Sequence, residues 1–136
     1  MERRINRSNV LYTKIELMEQ KTKLLPDRTF YFGVNTLRLL KKLPDYYIDR
    51  IPKGQVARSS ASIGSNYEEA QAAVSKRDFV NKVGICYKES GESVYWLKIL
   101  KELHEEKHSD EFPKFIKEAE EIRNIFAAIK KSSAGK

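Results

Sequence analysis

Residues 58–97, RSSASIGSNYEEAQAAVSKRDFVNKVGICYKESGESVYWL, constrain the fold more than any other part of the chain. Two helical patterns meet there at one cap, Ser75-Lys76-Arg77-Asp78. A serine hydroxyl at that point accepts from amides of the following turn, and an acid three residues on can answer it. The spacing therefore predicts a helix–cap–helix hairpin. On its first arm Val56, Ser60, Ile63, Tyr67, Ala70 and Val74 recur at intervals of four and three. On its second arm Phe79, Val83, Cys86, Ser90, Ser93, Leu97 and Leu100 do the same. That seam is characteristic of a helical bundle. Ala57, Ala61, Gly64 and Ser65 flank the first seam, which lets a neighbouring backbone approach closely. Gly84 and Gly91 share a face of the second arm and predict either a close helix crossing or a locally weakened helix.

Two further helices follow from the same period. Asp27 reads as an N-cap for a helix from Arg28 to about Leu43, with Phe30, Val34, Leu37 and Leu40 on one stripe. The helix carrying Val56 is expected to begin near Pro52, a residue tolerated in a first turn. The chain restarts over 109–113, and Phe115, Ala119, Ile122, Phe126 and Ile129 mark the last helix. No strand pattern occurs. The expectation is all-α: an antiparallel up-down-up-down four-helix bundle over residues 27–131. Residues 1–26 form a basic N-terminal arm, partly helical through Leu11, Ile15 and Met18 or disordered, and 132–136 a disordered tail.

Charge narrows the partners. The net charge is +7, and residues 1–26 hold six basic against three acidic side chains, while 27–131 hold 19 against 16. The excess thus sits in the arm, with Arg3, Arg4 and Arg7 at its tip, and such an arm attracts phosphate backbones or anionic surfaces. No apolar run approaches the ~18 residues of a spanning helix, so no membrane partner is expected. MERRINRSNV has no apolar core of a secretory signal, and a single cysteine supports neither a disulfide framework nor a thiolate cage. The cytoplasm is the expected compartment.

The runs RSSASIGSNYEEA and SKRDFVNKVGICYKESGESVYWL closely resemble the bacterial four helix bundle protein family, also called 23S rRNA intervening-sequence proteins. The similarity covers roughly residues 28–131. It falls on Arg58, Ser59, Ser62, Ile63, Gly64, Asn66, Glu68, Glu69 and Ala70, then on Asp78, Phe79, Lys88, Glu89, Glu92, Tyr95, Trp96 and Leu97. The resemblance implies a ring-like homopentamer without established enzymatic activity. It also implies kinship with the accessory protein of diversity-generating retroelements, a basic pentamer that binds nucleic acid and its reverse transcriptase. Gly91 departs from the family, which often carries a larger, frequently basic residue there. Residues 1–17 precede the usual family start, which makes Met18 an alternative initiator.

Catalytic readings are weaker. His104-Glu105-Glu106-Lys107-His108 matches the H-E-x-x-H zinc motif, but the chain has no third histidine and the motif falls at a helix end. Solvated charge, with at most adventitious metal binding, is the expectation there. Glu69, Glu89 and Glu92 lack the histidines that bundle di-metal sites pair with carboxylates. They are expected instead in a structural polar network or subunit interface with Arg58, Asn66, Tyr95 and Trp96. No phosphate loop is present, and neither a cofactor nor a metal is expected. The expected function is a non-enzymatic oligomeric module that binds structured RNA, or an RNA-containing partner, through Arg3, Arg4, Arg7, Arg50 and Lys53. The alternative is a protein-interaction scaffold, with the small-residue face of the second helix and the aromatic end of the third forming subunit contacts.

Overall fold

The structure, a computed structural model, describes residues 24–104 and 110–134. Among them lie four α-helices, α1 (Leu25–Lys42), α2 (Arg50–Gln71), α3 (Lys76–Leu103) and α4 (Phe112–Ala134), a single 3₁₀ turn at Tyr47–Asp49, and no strand. No helix among the described residues is long and apolar enough to cross a membrane.

The cap between α2 and α3 forms as a reciprocal pair. The Asp78 amide donates to Ser75 Oγ at 3.0 Å, and the Asp78 carboxylate accepts from the Val74 amide at 3.4 Å. The preceding helix stops at Gln71, so Val74 falls in the link and is 94% exposed rather than part of the seam. The rest of both seams is buried or packed against the core.

α1 differs most from the sequence expectation. It begins at Leu25, before Asp27, because Pro26 fits a first turn where its missing N–H has no helical partner. Its buried face is Leu25, Thr29, Phe32, Gly33, Thr36 and Leu39. Phe30 and Leu37 point outward, 59% and 41% exposed. Thr29 can occupy the core because its hydroxyl donates to the Leu25 carbonyl at 2.9 Å. α4 also continues past 131, through Ser132 and Ser133, into the segment expected as a disordered tail.

Neighbouring helices meet in opposed register. A Cβ on Gly33 would lie 3.3 Å from the Ser60 carbonyl oxygen, and one on Gly64 3.4 Å from the Thr29 and Phe30 backbones. The small residues of α2 therefore serve contact with α1 inside the chain, and not a subunit contact at those positions. Arg28 bridges to α4, donating to Glu118 twice at 2.7 Å and to Glu121 at 2.8 Å. Tyr67 meets Phe126 edge to face across the core, with ring centroids 5.3 Å apart.

Candidate functional site

Arg58 is the hub of the polar network. Its α2 position faces the middle of α3, where Glu89 and Glu92 lie on one helix face. The guanidinium donates to both Glu89 oxygens at 3.1 and 3.2 Å and also pairs with Glu92. Glu89 is only 8% exposed, so the ion pair neutralises a carboxylate that burial would otherwise penalise. Burial opposes the charge on Arg58, but Glu89 and then Glu92 outweigh it and raise its pKa. Beside the pair, the Ser59 and Ser93 hydroxyls share a buried hydrogen bond of 2.9 Å. Two other network candidates lie elsewhere. Asn66 donates to the Ser62 carbonyl of its own helix at 2.9 Å. Glu69 accepts from Lys82 at 2.6 Å and raises the lysine pKa through that bond. Tyr95 is exposed, and its ring meets the half-buried Trp96 edge to face at 5.1 Å.

The basic candidates separate. Arg3, Arg4 and Arg7 lie outside the described residues. Arg50 and Lys53 sit at the corner between α1 and α2. Arg50 donates to both Asp45 oxygens at 3.3 Å, and that bonding holds the Asp45 carboxyl below its usual value. Its guanidinium also stands 5.7 Å from the Tyr47 ring centroid. Lys53 donates to the Pro44 carbonyl at 2.6 Å, which ties it into the corner and leaves Arg50 the more open cation.

The structure adds a second basic face that sequence reasoning missed. Gly84 and Gly91 make no close helix crossing. The side chain of Lys130 lies over Gly84 at 3.8 Å, and that of Arg123 over Gly91 at 3.7 Å. Lys130 also stands 5.9 Å from the partly exposed Tyr87 ring. Neither Arg123 nor Lys130 has an ion pair among the described residues. The signal was present: the two glycines and the two cations are each seven residues apart.

His104 is buried rather than solvated. It caps α3 with its ring between Tyr46 and Phe112, centroids 6.2 and 6.4 Å away. Its Nε2 lies 2.7 Å from Asp49 Oδ2, and both side chains are 3% exposed. The two side chains are in close polar contact. Its effect is to lock the 3₁₀ turn against the ends of α3 and α4. His108 lies outside the described residues, and no metal-holding group of three His, Cys, Asp or Glu side chains occurs among the described ones. Cys86 is fully buried. Burial pushes its thiol up to about 12, which leaves an inert packing group.

The fold and its capped central hairpin define a four-helix bundle protein with a partly buried arginine–carboxylate network between α2 and α3. The chain belongs to the 23S rRNA-intervening sequence protein family, which matches residues 27–128. A solved protein of unknown function from the S23 ribosomal protein family of Bacteroides thetaiotaomicron VPI-5482 is similar. It shares 32% identity over 79% of this chain and 98% of its own, with a TM-score of 0.71. No curated protein matches the chain.

Proposed function

We propose that the protein is a non-enzymatic cytoplasmic module, an up-down-up-down bundle that assembles as a homopentamer and binds structured RNA or an RNA-containing partner. The observation that carries the RNA reading is the row of Arg123 and Lys130 beside Tyr87, two cations without an ion pair among the described residues. The basic arm with Arg3, Arg4 and Arg7 adds positive charge elsewhere, and the exposed Arg50 can exchange its Asp45 partner for a phosphate. These groups contact phosphate rather than read bases, so recognition depends on RNA shape and falls with salt. Assembly multiplies each modest patch through avidity.

Fluorescence anisotropy of a structured RNA across a salt series tests this reading. The expected result is a linear fall of log affinity with log salt, with a shallower slope for Arg123→Glu/Lys130→Glu. Loss of slope in an Arg3→Glu/Arg4→Glu/Arg7→Glu variant alone would move the contact to the arm. No binding at low salt favours the second reading, a protein-interaction scaffold. Exposed Tyr47, Ile48 and Ile51 at the α1–α2 corner, together with Tyr95, supply the apolar surface for it. Light scattering during size-exclusion chromatography measures the subunit count.

A further inference from the structure

Tyr87 is left uncovered by its own helix. On a helix surface a ring is flanked by the residues three and four positions away. For Tyr87 the two such neighbours on the exposed side are Gly84 and Gly91, while Val83 and Ser90 are buried in the core. Neither exposed flank therefore carries an α3 side chain, and the ring is 39% exposed. Glycine weakens a helix interior, and packing does not require it here. A Cβ at either position would meet only flexible side chains, Lys130 at 3.8 Å and Arg123 at 3.7 Å.

The cations around the ring are ordered. Lys130 lies over Gly84 and Arg123 over Gly91, and Lys98 continues the same face of α3 seven residues beyond Gly91. At 1.5 Å per helical residue the three fall in steps of about 10.5 Å along the α3–α4 face. Lys98 and Lys130 are exposed and Arg123 is half-buried. Arg28, Arg50 and Arg58 each bond carboxylates, whereas these three cations have no ion pair among the described residues. Their long stems leave the charged heads free to meet a ligand. Lys130 Nζ already stands 5.9 Å from the Tyr87 ring centroid. The face thus presents an open aromatic ring with positive charge on both sides of it.

We propose that Tyr87 stacks on the base of an unpaired RNA nucleotide, with Lys130 and Arg123 on the phosphates to either side and Lys98 on the next along the strand. The site rests on the RNA binding proposed above and narrows its ligand to single-stranded segments: loops, bulges or ends. A paired base keeps both faces inside the helical stack, whereas an unpaired base offers a face to a protein ring. A duplex would engage the cations and leave Tyr87 idle. Stacking tolerates any base, so the site selects the state of the strand and not its sequence.

Fluorescence anisotropy of the full chain with two RNAs of equal length tests it, one a hairpin with an open uridine loop and the other a fully paired duplex. The hairpin is expected to bind at least fivefold more tightly. Tyr87→Ala should weaken hairpin binding about 5- to 150-fold, the range of one base–aromatic stack, and leave the salt slope unchanged. Arg123→Gln/Lys130→Gln should instead make the slope shallower by about 1.4, or about 0.7 per phosphate contact on a single strand. Tyr87→Phe keeps the ring and should bind as the unaltered chain does. Tyr95→Ala removes the exposed ring paired with Trp96 and serves as the control, with a change below about twofold. Equal affinity for hairpin and duplex would overturn the unpaired-base site and leave the RNA reading standing. So would a Tyr87→Ala affinity within about twofold of the unaltered chain, or equal losses for Tyr87→Ala and Tyr95→Ala. Absence of binding to either RNA at low salt would refute both.

Discussion

Replacing His104 with alanine should be among the most damaging single changes outside the apolar core. The imidazole lies 2.7 Å from Asp49 Oδ2, and the two residues are 5% and 2% exposed. Removing the ring leaves the buried Asp49 side chain without that polar contact and empties the space between Tyr46 and Phe112. Breaking a buried pair in this way costs about 3–5 kcal/mol, against a total stability of about 5–15 kcal/mol for a domain. Asp49→Asn is the gentler break, because the amide keeps the volume and a polar group against the imidazole; about 1–2 kcal/mol is expected. Urea unfolding followed by far-UV circular dichroism reads both. At a slope of about 2 kcal/mol per molar, His104→Ala should lower the midpoint by about 1.5–2.5 M and Asp49→Asn by less than about 1 M. The double variant His104→Ala/Asp49→Ala removes both partners and leaves no unpartnered polar group, so it should be more stable than the summed single alanine variants by about 1–3 kcal/mol. Additivity within about 0.5 kcal/mol would refute the coupling and leave His104 as an aromatic spacer.

The glycines divide by what a methyl group would meet. Gly84→Ala and Gly91→Ala place a Cβ at 3.8 and 3.7 Å from flexible Lys130 and Arg123 side chains, so each should gain about 0.5–1 kcal/mol of helix propensity. Gly33→Ala and Gly64→Ala meet backbone at 3.3 and 3.4 Å and should gain nothing or lose; equal rises in melting temperature at all four sites would contradict the α1–α2 contact. Arg58→Ala strands Glu89 and should cost about 1–2 kcal/mol after allowance for its 47% exposed side chain. Arg58→Lys should recover only part of that in a urea titration, because one ammonium does not span both carboxylates as the guanidinium does. Cys86 should resist a thiol reagent at pH 8 in the folded protein and react at once in urea. Its folded pKa, about 12, lies above that of the free thiol, so its contribution to stability is complete below about pH 8.5 and is lost between there and about 12. Cys86→Ala should flatten that alkaline limb.

What the sequence discloses here depends on how far apart the interacting groups are. The Ser75–Asp78 cap is legible because every group in it lies within five residues, and the α2 and α3 seams because each helix presents one apolar stripe. Periodicity fails on α1, where two stripes share the same period and the buried one hides polar Thr29 and Thr36 while the exposed one shows Phe30 and Leu37. Period 3.6 places residues on a common face but does not say which face meets the core. The His104–Asp49 contact joins the end of α3 to a turn before α2, and local patterning offered only H-E-x-x-H, which pointed toward solvent and metal. Arg58 with Glu89 and Glu92 was accessible to sequence reasoning because a hairpin fixes which halves of two helices face each other. The same reasoning extends to Gly84, Gly91, Arg123 and Lys130: equal seven-residue intervals on two antiparallel neighbours must come into register at both ends or at neither. A cation standing over a glycine on the next helix is therefore a pattern to seek wherever two such intervals face each other.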